Sequence, residues 1–229
     1  MSELDEGSVW IVIPAFNEGA VIGDVARSVL ERYSNVVVVD DGSKDETWRI
    51  ARDAGAAVVR HPINLGQGAA LQTGVEYAVL RGADLIVTFD GDGQHQVDDI
   101  ATMIREIQRT NSDVALGSRF LGRTVGLPWA RRLVLKAAVV FTWVTTGLKL
   151  TDAHNGLRVL SRNAVKKLEM YQDGMAHASE IISNIASNHL RFVEVPVTIV
   201  YTEHSLRKGQ KLSNLFSIIG EILSGGMRK

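Results

Sequence analysis

Short runs of apolar, mostly β-branched residues recur along the first half of the chain, and each run ends in a polar or turn-forming stretch. Such runs are typical of strands that are buried on both faces of a parallel sheet. The pattern predicts strands at Val9–Ile13, Val36–Val39, Val58–Val59, Leu85–Phe89 and Val114–Leu116.

Between these runs, apolar residues recur at the three- and four-residue spacing of an amphipathic helix. Val21, Val25 and Val29 show this spacing in the segment after the first strand. Helices are predicted at Ala20–Tyr33, Thr47–Ala54, from near Asn64 to about Leu80, and Val97–Arg109. Repeated alternation of strand and helix predicts an α/β, Rossmann-like fold with a mostly parallel sheet and helices on both faces.

Acidic residues follow three of the predicted strands. Glu18 lies beyond the first strand, Asp40 and Asp41 end the second, and Asp90 and Asp92 follow the run at 85–89. Ligands of open α/β sheets bind outside the carboxyl ends of the strands, so these acids are expected at one edge. Carboxylates held close together repel unless a cation lies between them. The cluster therefore predicts a site for a hard divalent ion and a diphosphate.

Solvated turns and helix caps are the alternatives to a ligand site for these acids. An isolated Asp-x-Asp segment is more often a solvated turn. Asp41, Ser43 or Asp45 is suited to cap the helix predicted near Thr47. The presence of carboxylates at the ends of three strands favours the ligand site, because an unpaired cluster destabilises the fold.

Composition narrows the classes of protein that fit. The chain has 229 residues, 45% of them hydrophobic, which is enough for one domain with a substantial core. It has no cysteine, which excludes disulfides and thiolate chemistry. Its short acidic N-terminus is unlike a signal peptide.

Charge is distributed unevenly although the formal net charge is only −1. Residues 1–118 contain 9 Lys or Arg and 19 Asp or Glu, whereas residues 119–229 contain 16 and 7. This asymmetry fits an acidic half that holds a metal and a basic half that binds an anionic ligand, an anionic membrane surface, or both. Nucleic acid is not expected as a partner, because the acidic half would repel it.

The glycine-rich segment Gly66-Gln67-Gly68 matches neither the dinucleotide-binding fingerprint nor the Walker pattern, whose lysine is absent. This argues against a dehydrogenase and against a P-loop NTPase.

Several segments, taken in order, resemble family-2 glycosyltransferases, and most of all the dolichyl-phosphate mannose and polyprenyl-phosphate glucose synthase branch. The segments are Pro14-Ala15-Phe16-Asn17-Glu18, Asp40-Asp41-Gly42-Ser43, Asn64-Leu65-Gly66-Gln67-Gly68, Asp90-Gly91-Asp92-Gly93-Gln94-His95 and Gly117-Ser118-Arg119. The resemblance continues through 151–158 and 194–197 and so covers nearly the whole chain. Each motif is weak alone, but the ordered set is specific.

The resemblance implies one GT-A domain over residues 1–229, with a donor half at about 1–120 and an acceptor half at about 121–229 that ends in an amphipathic helix. It implies an inverting hexosyltransferase that uses Mg²⁺ or Mn²⁺. The implied donor is a nucleotide diphosphate sugar of the GDP-mannose or UDP-glucose type, and the implied acceptor is a polyprenyl or dolichyl phosphate.

Site residues are carried over from the resemblance by position. The implied contacts to the nucleotide sugar are Pro14, Ala15, Phe16, Glu18, Asp40, Asp41, Gln67, Asp90, Gly91, Arg119, Arg131, Arg207 and Lys211. The implied metal ligands are Asp90, Asp92 and Gln94, and the implied catalytic residues are Asp92, Arg119 and Glu180.

The chain departs from the family pattern at two places. Gln67 stands where many relatives carry Lys, which removes one cation near the donor. The stretch 201–211 resembles the basic loop of the branch without matching it. Arg207, Lys208 and Lys211 are therefore equal candidates to bind phosphate, and a solvated basic loop is the alternative.

The chemistry of the acceptor separates the remaining alternatives. A lipid monophosphate is already nucleophilic at neutral pH, because its second pKa is about 6. A sugar hydroxyl would need a general base, for which Glu180 is the candidate, although an acid in a first helical turn is also favoured by the helix dipole. Transfer to a glycan hydroxyl, a sugar nucleotidyltransferase and a binding module without catalysis are the rival functions.

Two apolar segments, 133–148 and 215–223, bear on the membrane. Both are too short and too interrupted for a span of about 20 apolar residues. With basic residues such as Arg131 and Arg132 beside them, they predict a peripheral protein at the cytoplasmic face of an anionic membrane. Core packing or a homodimer interface accounts for the same segments equally well.

Overall fold

The computed structural model describes residues 8–168 and 177–202, and of residues 177–179 only the backbone. The strands are β1 (Val9–Ala15), β2 (Val36–Asp40), β3 (Ala57–Arg60), β4 (Leu85–Thr88), β5 (Val114–Val125), β6 (Arg158–Ser161) and β7 (Phe192–Val200). The helices are α1 (Ile22–Leu30), α2 (Thr47–Asp53), α3 (Gln67–Leu80), α4 (Val97–Arg109), α5 (Trp129–Thr146), α6 (Arg162–Lys167) and α7 (His177–Ser187).

These strands form one sheet in the order β3-β2-β1-β4-β6-β5-β7. β1 pairs in parallel with β2 and β4, β2 with β3, and β5 with β7. β6 lies antiparallel between β4 and β5. The carboxyl ends of the parallel strands thus meet at one edge, where their connecting turns are brought together.

Each face of the sheet has its own hydrophobic core, because alternate strand residues point to opposite faces. Ile11 and Val38 pack with α1 and α4 on one side. Val12 and Val37 pack with α3 and α7 on the other. Burying each such side chain fully contributes about 1.5–3 kcal/mol. Helices on both faces of a mostly parallel sheet confirm the predicted fold class.

The predicted strands and helices of the first half are all present, with ends that differ by a few residues. β5 runs well beyond the predicted Val114–Leu116, because its second part pairs with β7 across a register shift between Ser118 and Arg123. Gly122 lies so close to the backbone of Val197 that a side chain there would overlap it. This pairing joins residues far apart in sequence, which local periodicity does not reveal.

α5 contains most of the apolar segment 133–148, and its outer face is exposed. Trp129 is 77% exposed, Leu133 60% and Val144 76%, whereas Thr142 is the residue of this helix that is buried. Core packing is therefore wrong for the outward-facing residues of α5. Among the described residues, no helix combines the length and the apolar character that a membrane span requires. The segment 215–223 lies outside the described residues.

Candidate active site

The turn that follows β4 carries the two carboxylates singled out from the sequence, and it lies against the end of β1. Gly91 packs on the β1 backbone: a Cβ at this position would come within 3.0 Å of the Pro14 carbonyl oxygen. Gly93 has φ of +76°, a left-handed conformation that glycine adopts without strain. Glycines thus let the turn fold back so closely that Asp90 and Asp92 share one small region.

Asp92 is held by its own turn. Its two carboxylate oxygens accept hydrogen bonds from the backbone N–H of Gln94 (3.0 Å) and from the Gln94 side-chain amide (2.6 Å). Burial raises the pKa of Asp92 above its ordinary value, and the negative charges of Asp90 and Glu18 raise it further. The structure therefore brings three of the predicted acids into one electrostatic field that disfavours ionisation of Asp92.

Asp90 is fixed from three sides. The amide of Gln67 donates to Oδ1 at 3.1 Å, and Nε2 of His95 lies 3.0 Å from Oδ2. On the third side Gly156 approaches so closely that a Cβ there would overlap the carboxylate. Gln67, the departure from the family pattern, thus contacts the first carboxylate of the turn directly.

A hard divalent ion fits this turn. Two carboxylates and an amide converge there, and Mg²⁺ commonly takes one or two protein carboxylates and completes its shell with water and substrate phosphate oxygens. A cation would also relieve the repulsion that raises the pKa of Asp92. No group of three or more His, Cys, Asp or Glu side chains with metal-binding geometry occurs in the described part of the chain. The site suits a metal that arrives with a diphosphate better than a metal caged by protein.

The acids after β2 shape the neighbouring loops. Asp41 is 2% exposed, and its carboxylate accepts hydrogen bonds from the backbone N–H groups of Leu65 (2.9 Å) and Gly66 (2.8 Å). Nδ1 of His61 lies 2.8 Å from the same carboxylate. Asp41 thereby fixes the loop that leads into α3 and Gln67. Its predicted contact with the nucleoside stays a prediction.

Asp40 is fully buried, with Nε of Arg60 3.0 Å from Oδ2 and the backbone N–H of Ser43 donating to Oδ1 at 3.1 Å. Asp45 accepts from the backbone N–H of Thr47, the first residue of α2, but the N-cap residue of this helix is Glu46, whose side chain makes no capping hydrogen bond. The prediction that Asp41, Ser43 or Asp45 is the N-cap of α2 is therefore wrong.

The loop after β1 is joined to the loop after β2 by side-chain oxygens. Ser43 Oγ accepts from the backbone N–H of Asn17, and Thr47 Oγ1 from that of Glu18, both at 2.8 Å. Pro14 and Ala15 are buried at the end of β1, whereas Phe16 is 41% exposed. Phe16 thus follows the carboxyl end of β1 with its side chain partly exposed.

Arg119 has protein partners around its guanidinium, and its predicted contact with the nucleotide sugar and its predicted catalytic role stay predictions. Its guanidinium is 8% exposed and donates from Nε to Asp152 (2.6 Å), from Nη1 to the Tyr201 hydroxyl (2.7 Å) and from Nη2 to the His154 carbonyl (2.6 Å). Burial alone would lower the pKa of Arg119, but the charge of Asp152 and the contact with Tyr201 outweigh it and raise this pKa. The geometry favours a role in fixing the segment 151–158.

That segment contains a buried charged residue, next to the site, that sequence reasoning missed. Arg158 begins β6, is 2% exposed, and has Asp90 and Asp152 as its neighbouring negative charges. Burial lowers the pKa of its guanidinium, and the two carboxylates oppose this shift. Its Nη1 has no hydrogen-bond partner among the described residues. A buried arginine beneath Asp90 gives that carboxylate a permanent counter-charge. The motif at residues 151–158, which ends in Arg158, is part of the family resemblance, but the resemblance assigned no role to this arginine.

The site residues predicted for the second half of the chain, other than Arg119, are only partly described. Arg131 lies in the first turn of α5, partly buried, with its guanidinium carbon 5.1 Å from the centroid of the Tyr201 ring. Glu180 lies in the first turn of α7 and is partly buried. Arg207, Lys208 and Lys211 lie outside the described residues.

Comparison of sequences agrees with this geometry. The profile of glycosyl transferase family 2 matches residues 10–169. An uncharacterized protein of Methanocaldococcus jannaschii is 34% identical over 228 residues, which cover 97% of this chain and 94% of that protein. The UDP-N-acetylglucosamine–dolichyl-phosphate N-acetylglucosaminyltransferase of Methanococcus voltae is 31% identical over 96% of this chain and 97% of its own. Polyprenol monophosphomannose synthase of Mycolicibacterium smegmatis is 26% identical over 95% and 86%, respectively.

Solved structures show the same fold. Glucosyl-3-phosphoglycerate synthase from Mycobacterium tuberculosis, in complex with Mn²⁺ and UDP-glucose, aligns with a TM-score of 0.68. The alignment covers 94% of this chain and 76% of that one, at 20% sequence identity. At this identity the likeness is one of fold.

Proposed function

The chain belongs to glycosyl transferase family 2, and we propose that it is an inverting hexosyltransferase that moves a sugar from a nucleotide diphosphate to a polyprenyl phosphate. The observation that carries the donor side of the proposal is the turn Asp90–Gln94. Its crowded carboxylates need a cation, and a metal-bound diphosphate supplies one together with the leaving group.

The residues around this turn have two roles in binding the donor: some would hold the metal, and others orient the Asp90 carboxylate. Asp90, Asp92 and Gln94 would hold the metal, while Gln67 and His95 keep the Asp90 carboxylate in one orientation. Such positioning matters because displacement at the anomeric carbon requires the attacking and leaving oxygens on opposite sides of it. A bound Mg²⁺ or Mn²⁺ would supply the charge that neutralises the departing diphosphate.

For the acceptor, the proposal rests on the chemistry of a phosphate monoester and on the relatives named for dolichyl and polyprenol phosphates. A phosphate oxygen attacks the anomeric carbon, the bond to the diphosphate oxygen breaks, the nucleoside diphosphate leaves with the electron pair, and the sugar is joined to the lipid phosphate with inverted configuration. No proton has to be removed from a dianionic phosphate, so no general base is required. Basic side chains are required to hold the phosphate, and Arg131 at the start of α5 is the described candidate.

The outer face of α5 supports a peripheral position at the cytoplasmic face of a membrane. Trp129, Leu133, Val140 and Val144 are spaced by four and seven residues, so they share one face of the helix, and all four are exposed. Exposed Arg132 and Lys136 lie among them. An apolar stripe flanked by cations suits the interface of an anionic bilayer, where a polyprenyl acceptor is found. A homodimer through the same face is the alternative.

Transfer to a glycan hydroxyl is the second candidate, and Glu180 is the observation that favours it. This acid lies in the first turn of α7, partly buried and within the half that would bind the acceptor. A hydroxyl nucleophile would use Glu180 as its base, whereas a phosphate would not. A sugar nucleotidyltransferase is disfavoured, because Pro14-Ala15-Phe16-Asn17-Glu18 stands where a glycine-rich basic loop would be needed.

The proposal is tested by a two-step screen. First, thermal shift with Mn²⁺ and a panel of nucleotide sugars identifies the donor, because a ligand at a hundredfold excess over Kd stabilises the fold by about 2.7 kcal/mol. Then the selected radiolabelled donor is incubated with short-chain polyprenyl phosphate or with oligosaccharides. We expect label in the organic phase with polyprenyl phosphate. Label only on the oligosaccharide would contradict the proposal and favour the hydroxyl acceptor.

A further inference from the structure

Tyr201 connects two arginines that come from different parts of the fold. It directly follows β7, is 7% exposed, and its backbone N–H donates to the Val125 carbonyl at 2.9 Å. Its hydroxyl accepts a hydrogen bond from Arg119 at 2.7 Å. Its ring face lies 5.1 Å from the guanidinium carbon of Arg131. One phenol therefore meets one arginine at its edge and another at its face.

The hydroxyl of Tyr201 is hydrogen-bonded to Arg119, which is itself held by buried contacts. Besides donating to Tyr201, Arg119 is bound by Asp152 and by the His154 carbonyl, and it is almost wholly buried. The same segment continues to Gly156, which packs against the carboxylate of Asp90. The orientation of the Tyr201 ring is thus tied, through buried contacts, to the turn that holds the donor.

The face of the Tyr201 ring contacts Arg131, whose positive charge is unfavourable at the N-terminus of α5. Arg131 and Arg132 lie in the first turn of α5, which is described in full and contains no acidic residue. Positive charges at this end oppose the helix dipole. A cation–π contact with Tyr201 offsets part of that cost and holds the side chain in one orientation. Arg131 stays partly exposed, so its remaining N–H donors are open to an anion.

We propose that Tyr201 is a positioning residue that presents Arg131 to the phosphate of the acceptor, at a place fixed relative to the donor turn. The inference rests on the proposed function, because it takes the acceptor to be a polyprenyl phosphate. It assigns Tyr201 no contact with the reacting atoms. It predicts that losing the aromatic face weakens use of the acceptor and leaves use of the donor unchanged.

A double-mutant cycle tests this role. Tyr201→Leu and Arg131→Gln are each expected to raise KM for polyprenyl phosphate by about tenfold, the scale of a well-shielded cation–π contact. The combined variant should be no worse than Arg131→Gln alone, because both changes remove the same contact. KM for the nucleotide sugar should stay at the wild-type value throughout. Tyr201→Phe keeps the ring face and should raise KM for the acceptor about twofold at most, through the lost bond to Arg119.

Fluorinated phenylalanines at position 201 provide a second test that keeps the size of the side chain. Successive fluorines weaken the negative face of the ring, so KM for the acceptor should rise with each one, while the melting temperature stays near that of Tyr201→Phe. This series also decides the matter if Tyr201→Leu does not fold.

These measurements distinguish a failure of the Tyr201 positioning role from a failure of the proposed function. If the wild type transfers sugar to polyprenyl phosphate but the effects of Tyr201→Leu and Arg131→Gln multiply, or the fluorinated series is flat, the positioning role is wrong and the proposed function stands. If KM for the donor rises together with KM for the acceptor, Tyr201 has only a structural role. If the wild type does not use polyprenyl phosphate at all, the proposed function fails, and this role fails with it.

Discussion

The donor-side turns, which follow β1, β2 and β4, are held by backbone groups that bind carboxylates and hydroxyls nearby. Asp41 binds the N–H groups of Leu65 and Gly66, and Asp92 binds that of Gln94. The acceptor side, formed by the end of β5, α5 and Tyr201, is held by arginine side chains that reach across the fold. Arg119 contacts Tyr201 over 82 positions of sequence. Backbone N–H groups thus supply most of the named contacts on one side of the site, and arginine side chains supply those on the other.

The two sides also differ in what they expose. The donor-side turns bury Asp40 and Asp41 and raise the pKa of the partly buried Asp92, which suits them to a cation. The acceptor side exposes apolar residues of α5, such as Trp129 and Val144, beside cationic ones. Under the proposed function, one side would bind the nucleotide and the other the lipid. Substitutions on each side should therefore have separate effects.

The largest effect is expected on the donor side. Asp92→Asn removes one charge from the metal position at constant shape, so kcat/KM should fall by at least about 10²-fold, since a bound metal contributes several kcal/mol to such a transition state. Asp98→Asn is the matched control, because Asp98 is an exposed acid paired with Arg32 on the outside of α4. Transfer by the wild type that persists after thorough EDTA treatment would show that this side does not work through a metal.

A smaller effect is expected on the acceptor side. Reversing Arg132 and Lys136 to Glu should weaken binding to anionic vesicles by at least about 30-fold, because the attraction lost with each basic residue is about 1 kcal/mol and each new Glu is repelled. Sedimentation with vesicles measures this, and salt should weaken wild-type binding in the same way. Reversing Arg49 and Arg52, exposed on α2 of the donor half, is the control and should change little. If wild type stays in the supernatant at low salt, the face of α5 is better assigned to a subunit interface.

On the donor side, the Asp92 carboxylate should lower the stability of the metal-free protein. The raised pKa of Asp92 means that the folded protein disfavours its ionised form, so the carboxylate lowers stability above the ordinary pKa of 3.8. In EDTA near pH 7, Asp92→Asn should therefore unfold at the same or a higher temperature than wild type. The difference should vanish as pH falls well below the ordinary pKa of 3.8, where the wild-type carboxyl is protonated in both states. If Asp92→Asn is less stable than wild type at neutral pH, the fold stabilises the ionised Asp92 carboxylate, and the argument is wrong.

The smallest effect is expected at Glu180. With a phosphate nucleophile, Glu180→Gln should keep kcat within about twofold of wild type, because no proton has to be removed. Pre-steady-state measurement of the chemical step gives this directly. A loss of about 10²–10⁴-fold with unchanged acceptor binding would identify Glu180 as a base and a hydroxyl as the acceptor.

The contrast between the two sides accounts for what could be predicted from the sequence. Asp90 and Asp92 were identified because a strand and its following turn are adjacent in sequence, and a parallel sheet brings such turns to one edge. The sheet and the helices of the first half follow from the same local periodicity. Family resemblance added the order of the motifs.

The acceptor side was harder to predict because its contacts join distant segments. Nothing near Arg119 in the sequence indicates that Asp152 and Tyr201 would occupy its guanidinium. The burial of Arg158 was not predicted either, because the motif that contains it assigned it no role and a lone arginine at a strand start is more often solvated than buried. The apolar residues of α5 predicted a helix, but only the structure distinguishes an exposed apolar face from a core.

The most direct test of the central claim is the structure of the product. The donor found by thermal shift is incubated with polyprenyl phosphate and Mn²⁺, and the product is characterised by ³¹P and ¹H NMR. We expect a phosphodiester between the lipid phosphate and the anomeric carbon, with the anomeric configuration opposite to that of the donor. A product with retained configuration, or a sugar joined to a hydroxyl with the lipid phosphate unchanged as a monoester, would contradict the account.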